Sequence, residues 1–256
     1  MGYTRRILDT ELDELFGVLA ALAIDGAKGV GKTTTAEQRV ADVVRLDSRA
    51  SREAIEAEPE QLLTHPRPLL LDEWQKVPAV WDVVRRSVDR DRSGGQFLLA
   101  GSATPVAGAT AHSGAGRIGR LRMRPMTLSE RGVAEPTVSL RELLSGSRGS
   151  LAGSTRLRLS DYVEEIVASG FPGMRDLPAR ALRFQLDSYL HNAVDRDVPD
   201  QGLAVRRPEA MLAWLRAYAA ASATTASYSQ ILDAATPGQS DKPARSTSVA
   251  YRDVLA

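Results

Sequence analysis

The sequence predicts an α/β fold in which a parallel sheet is wound with helices on both faces. Three observations carry this expectation. Short apolar runs alternate with helix-patterned segments along the first half of the chain, the order that builds a parallel sheet. A glycine-rich turn stands between the first of those runs and the helix that follows it. Two later runs end in polar groups, Asp72-Glu73 and Gly101-Ser102, at the strand ends where open α/β sheets bind ligands.

The elements follow in chain order. Residues 8–19 have the apolar spacing of an amphipathic helix, and residues 20–24 form a short buried strand. The glycine-rich turn leads into a helix over 31–43, with a second strand at 43–46. The acidic, alanine-containing segment 52–63 is helical. Pro68 introduces the third strand, Leu69-Leu70-Leu71, which ends in Asp72-Glu73. Apolar spacing makes 80–88 a helix, and 96–100 is a further strand. Residues 103–119 turn to Gly, Ala, Ser and Thr and make a loop. A fifth strand follows at 121–126. The Ser/Gly-rich stretch 145–155 has linker composition. We therefore place the first domain at 1–140, a linker at 141–158, a helical region at 159–226, and a winged-helix-like segment, cut short, at 227–256.

Composition narrows the function classes. With 256 residues, 43% of them hydrophobic, the chain can bury a sizeable core. The net charge of +1 favours neither a nucleic acid nor an anionic membrane surface as partner. There is no cysteine, which removes disulfides, thiolate metal sites and a cysteine nucleophile. The histidines, His65, His112 and His191, lie far apart, with no metal-ligand neighbour at helical spacing. The longest apolar run, residues 15–24, is too short to span a bilayer and follows acidic residues where a signal peptide needs basic ones. A cytoplasmic protein without a membrane partner is the expectation. Only four of the 33 basic residues are lysine, and one of them is Lys32.

Lys32 completes the pattern G-x-x-x-x-G-K-[ST] in Gly26-Ala27-Lys28-Gly29-Val30-Gly31-Lys32-Thr33. Each residue type has a reason. Gly26 and Gly31 permit backbone angles that turn successive N–H groups toward phosphate oxygens. The helix starting at Gly31 aims its positive end at the same place. Lys32 supplies a point charge between the β and γ phosphates, and the Thr33 hydroxyl is a Mg²⁺ ligand. The binding set for ATP is thus Gly26, Ala27, Lys28, Gly29, Val30, Gly31, Lys32, Thr33 and Thr34. Asp72, at the end of an apolar strand 40 residues after Lys32, is the second Mg²⁺ ligand, and Glu73 is positioned to deprotonate the attacking water. Ser102, with Thr104 as its alternative, ends the strand that belongs between the phosphate-loop strand and the acidic one; an ordinary turn serine is the plainer reading. Arg117 precedes the last strand, where it can reach the γ-phosphate of a neighbouring subunit. Arg120, Arg122 and Arg124 alternate with Leu121 and Met123, the pattern of a solvated strand face.

Together and in this order, these motifs resemble the AAA superfamily, and within it a set of bacterial ATP-binding proteins. The resemblance lies in Asp72-Glu73-Trp74-Gln75, Gly101-Ser102-Ala103-Thr104-Pro105, His112-Ser113-Gly114-Ala115-Gly116-Arg117, the run from Arg122 to Leu128, Ser169-Gly170-Phe171-Pro172-Gly173 and Arg196-Asp197-Val198. It covers nearly the whole chain. It implies an ATPase domain, a helical segment, a winged-helix-like segment and a further C-terminal domain that this chain would lack. Residues 227–235 and 247–255 would be the first two helices of a helix-turn-helix.

The expectation is an α/β P-loop ATPase that binds and hydrolyses Mg-ATP. Lys32, Glu73, Ser102 and Arg117 would serve the chemistry, with Thr33 and Asp72 on the metal. It would form homo-oligomers and engage a DNA or protein partner through the missing region. A nucleotide-gated DNA-binding or interaction module with little turnover is the alternative, resting on the tail that carries Arg245 and Arg252.

Overall fold

A computed structural model describes residues 2–102, 114–146, 152–237 and 245–255. The chain divides into two compact units, Met1–Leu177 and Pro178–Ala256.

The first unit is built on a five-stranded sheet: β1 (Ala21–Asp25), β2 (Asp42–Arg45), β3 (Leu69–Asp72), β4 (Phe97–Gly101) and β5 (Ile118–Arg122). Their order is β2-β3-β4-β1-β5, and every pair is parallel. Alternate residues of each strand enter opposite layers, so an uninterrupted apolar run is what a doubly covered strand requires. Leu69, Leu71, Phe97 and Leu99 pack with Ile55 of α3 (Arg49–Ala57) and with Trp81, Val84 and Val88 of α4 (Ala79–Arg90). Leu70, Leu98, Leu22 and Ile24 pack with Leu12 and Phe16 of α1 (Ile7–Phe16) and Ala36 of α2 (Lys32–Glu37). Two short helices close the unit, α5 (Leu140–Leu144) and α6 (Leu159–Ala168). The first straddles the boundary drawn between the first domain and the linker.

Three boundaries differ from expectation, each for a local reason. The helix expected over 31–43 stops at Glu37, because Ala41 and Asp42 donate their N–H groups to the Pro68 carbonyl and the next residues join β2. The helix expected over 52–63 breaks at Glu58, whose backbone (φ −143°, ψ 80°) leaves the helical region that a following proline disfavours; Pro59–Thr64 then continues as a 3₁₀ turn. The last strand starts at Ile118, paired with Ala21, and not at residue 121. It ends before Pro125, which has no N–H to offer a ladder. Thr104, the alternative to Ser102, and His112 lie outside the described residues.

The second unit is helical. α7 (Ala179–Asn192) widens into a π-helical turn, Ala193–Asp197, and runs into the single turn α8 (Val198–Asp200). Then come α9 (Pro208–Ala220), α10 (Tyr228–Ala235) and α11 (Arg245–Leu255). Its core gathers Val194, Val198, Met211, Leu212, Trp214, Ile231 and Tyr251. Trp214 stacks on Tyr218 at 4.9 Å and meets Tyr251 edge-on at 5.8 Å. Ser227 and Gln230 cap α10 reciprocally, through the Ser227 hydroxyl and the Gln230 side-chain carbonyl.

Because β4 is covered on both faces, Leu98→Ala and Leu99→Ala should each destabilise the first unit by about 2–5 kcal/mol in urea unfolding. A near-neutral result for either would mean that one face of β4 is open to water.

Candidate functional site

The parallel register brings the strand C-termini to one edge. Asp25 lies opposite Gly101 and Arg122, and Asp72 opposite Arg45 and Ala100. Everything that leaves this edge is adjacent in space, whatever its separation in sequence.

The loop after β1 turns sharply at Gly26, where φ is +151° and a Cβ would lie 2.2 Å from the Met123 carbonyl oxygen. No other residue fits there without displacing the chain that follows β5. Gly31, at φ +102°, caps α2 in a left-handed conformation. Ala27, Lys28 and Gly29 are exposed on the loop, Val30 is buried beneath it, and Thr34 is exposed on the first turn of α2. Lys32 is buried, and its ammonium donates to the carbonyls of Gly26 at 2.8 Å and Ala27 at 2.9 Å, folding the side chain back across the loop. Burial lowers its pKa, while the carboxylates of Glu73, Asp72 and Asp25 act in the opposite sense. Asp25 itself is raised, first by burial and against the pull of Arg120, Lys32 and Arg122; its Oδ1 has no hydrogen-bond partner among the described residues.

Thr33 and Asp72 meet directly: the Thr33 hydroxyl donates to Asp72 Oδ1 at 2.8 Å. These are hard oxygen donors on two different strands' exits, the donor chemistry that suits Mg²⁺. Glu73 leaves β3 in a left-handed conformation, φ 54° and ψ 39°, rare for a residue with a side chain. Its carboxylate accepts from the Gln75 amide at 2.7 Å, and the same amide nitrogen lies 3.4 Å from the Ser102 hydroxyl. Ser102 is close because β4 is inserted between β1 and β3. Gly101 makes room for this: a Cβ there would stand 2.6 Å from Gln75 Oε1 and 2.8 Å from Trp74 Nε1.

Arg117 stands apart. It lies just before β5, whose first residue pairs with the first residue of β1, so it is at the opposite edge of the sheet from the loop. About four residues of strand, on the order of 13 Å, separate the two edges. Its guanidinium is half exposed and pairs with Asp89 at 2.9 Å. Arg120 is exposed, as the alternation predicts, and has partners as well. It lies over the Trp81 ring at 5.2 Å and approaches Asp25 at 3.7 Å, so it connects the loop's first acid to the core.

Residues outside the predicted set also meet the loop or its neighbouring acid. Gln75 had a sequence signal, its place two residues after Glu73. Arg6 and Glu130, which pair beside the loop, had none, because their partners lie more than a hundred residues away.

A glycine-rich loop between a strand and a helix, a buried lysine across it, and a hydroxyl–carboxylate pair at the next strand but one define a P-loop nucleotide-binding domain. Residues 20–131 match the AAA domain family model, and in the sheet one strand separates the phosphate-loop strand from the acidic strand. Residues 159–256 match a model described as a domain of unknown function (DUF8612). No curated protein matches the chain. Among solved structures, the chain is similar to AMPPCP-bound DnaA from Aquifex aeolicus at 15% identity, covering 99% of this chain and 88% of that one, with a TM-score of 0.34. It is similar to the Aeropyrum pernix ORC1 protein in complex with DNA at 14% identity, covering 98% and 83%, with a TM-score of 0.35. No helix among the described residues is long and apolar enough to cross a membrane.

The carboxyl of Asp72 is also raised above its ordinary range. Burial drives this, the Thr33 hydroxyl opposes it, and nearby Glu73 and Asp47 add to the rise. The charged form is thus the costly one in ligand-free protein. Asp72→Asn should raise the melting temperature at neutral pH and lose that gain on acidification, where the wild-type group is already neutral. Melting curves at the two pH values check this; an equal gain at both would mean that charge is not the cause.

Proposed function

We propose that the chain binds Mg-ATP at the edge defined by Gly26–Thr34 and hydrolyses it. The observation that carries this reading is the meeting of Lys32, Thr33, Asp72, Glu73 and Ser102 at one end of the sheet, from three separate stretches of chain. Lys32 would exchange its two loop carbonyls for β- and γ-phosphate oxygens, for which an ammonium is the better-matched partner. Thr33 and Asp72 would hold Mg²⁺, which supplies charge neutralisation across the phosphates. Glu73 would accept a proton from the attacking water, and Ser102 would donate to the γ-phosphate or orient that water. Gln75 holds the Glu73 carboxylate in place. The chain's own part in the reaction is therefore positioning and one proton transfer.

Arg117 is assigned to assembly. The sheet separates it from its own loop, so any contact with phosphate would be made to a neighbouring subunit's nucleotide, and a homo-oligomer is the partner this implies. Residues 227–256 are read as a winged-helix-like segment, and DNA or a protein is the further partner class in this proposal. A cytoplasmic location goes with this reading.

Two sets of variants test the proposal. Lys32→Ala should lose most affinity for fluorescent ATP in a titration. Glu73→Gln should keep that affinity while phosphate release falls about 10²–10⁴-fold. Unchanged hydrolysis in the Glu73 variant would remove it as the base. For Arg117, specific activity should rise with protein concentration. Mixing Arg117→Ala with Lys32→Ala subunits should restore part of the activity, since some interfaces then pair an intact loop with an intact arginine. Turnover that is independent of concentration, with no recovery on mixing, would leave Arg117 as a surface ion pair.

A further inference from the structure

A phosphate loop can cradle anions only if its peptide N–H groups face inward, so its carbonyls must face out and find donors of their own. One of those carbonyls has an unusual partner. Arg6, buried to 6% exposure in the segment before α1, donates Nη1 to the Val30 carbonyl at 2.7 Å. Its other two nitrogens are also committed. Nη2 reaches the Arg124 carbonyl at 2.7 Å, just past β5, and Nε reaches Glu130 Oε1 at 3.0 Å. Glu130 is in turn held by the backbone N–H groups of Ile7 and Thr127, each at 2.7 Å. Burial alone would push this carboxyl upward. The two N–H donors and the Arg6 charge overcome that and hold it below the usual carboxylate range.

We infer that Arg6 is a positioning residue for nucleotide binding, acting through the Val30–Gly31 peptide; the inference rests on the ATP-binding reading above. A peptide bond is planar and trans, so its C=O and N–H point in opposite directions. With the Val30 oxygen drawn toward Arg6, the Gly31 N–H is turned the other way, away from Arg6. Gly31 is also where the backbone is freest to rotate: it lacks a side chain and sits at φ +102°. A guanidinium fixed at three points removes that freedom. The nearest Arg6 nitrogen is 3.6 Å from where a Gly31 Cβ would be, so the two groups are in contact across the loop's outer wall. A second tie runs from the same segment. The Tyr3 hydroxyl donates to Asp9 at 2.8 Å and lies 3.1 Å from the Thr35 hydroxyl, from which it can accept, and Arg39 binds Asp9 at 2.7 Å, fastening α1 to the helix that Gly31 caps.

The test compares the full chain with its Arg6→Ala, Arg6→Lys and Lys32→Ala variants. Binding of ATP and of inorganic pyrophosphate is measured well below each melting temperature. Arg6→Ala should weaken both ligands by about the same factor, roughly 10-fold or more, the lower end for losing one hydrogen bond to a charged group. Arg6→Lys keeps one donor and should recover part of the loss; it also serves if the alanine variant does not fold. Weakened ATP with unchanged pyrophosphate would overturn the inference, because Arg6 would then act on the nucleoside end. Unchanged affinity for both would overturn it too. In either case, binding by wild type and its loss in Lys32→Ala would leave the parent reading standing. A wild type that binds neither ligand would remove both.

Discussion

The insertion of β4 between β1 and β3 is the constraint on which the site depends. It separates the phosphate-loop strand from the acidic strand by one strand spacing on each side. Thr33 still reaches Asp72 across that gap, because it stands on the first turn of α2, which leans over the sheet edge. Ser102 leaves the intervening strand at the same edge and so comes beside Glu73 and Gln75. Were β4 at an outer edge, the same residues in the same sequence order would not meet. The insertion itself is stabilised by apolar runs that tolerate burial on both faces. A long stretch of ordinary hydrophobic sequence thus sets the geometry of a handful of polar groups.

Those polar groups stand in an electrostatic balance that is poor for ligand-free protein. Three carboxylates, Asp25, Asp72 and Glu73, surround one buried ammonium, and burial works against both signs of charge. Asp25 and Asp72 are raised and Lys32 is lowered. Lys32 answers by binding two carbonyls of its own loop, partners weaker than phosphate. A site arranged this way keeps part of its interaction capacity in reserve for a ligand that brings both anionic oxygens and a cation.

Much of this was legible in the sequence, and the pattern of success has a physical cause. The phosphate loop, the Asp72-Glu73 strand end and the Ser102 strand end are local signals, in which a few adjacent residues satisfy one geometric demand. Strand and helix types followed from apolar spacing for the same reason. Boundaries went astray where a partner far along the chain decided them, as when the Pro68 carbonyl took the N–H groups that would have continued α2. Alternation placed Arg120 on an exposed face, but could not show that the Trp81 ring lies beneath it. Arg6 and Glu130 were invisible: each is an ordinary charged residue at its own position, and only their juxtaposition buries them.

The Arg6 clamp also bears on what the smallest working unit of this protein is. The family match begins at residue 20, after the whole of α1. Leu12 and Phe16, which lie under β1 and β4, and Asp9, which anchors Arg39, all precede it. A fragment trimmed to the matched residues would retain every residue of the phosphate-binding motif and yet uncover the part of the sheet that Leu12 and Phe16 bury and leave the Val30 carbonyl without its donor. The motif marks where phosphate is held, whereas the physical domain extends back to the residues that give the loop its shape.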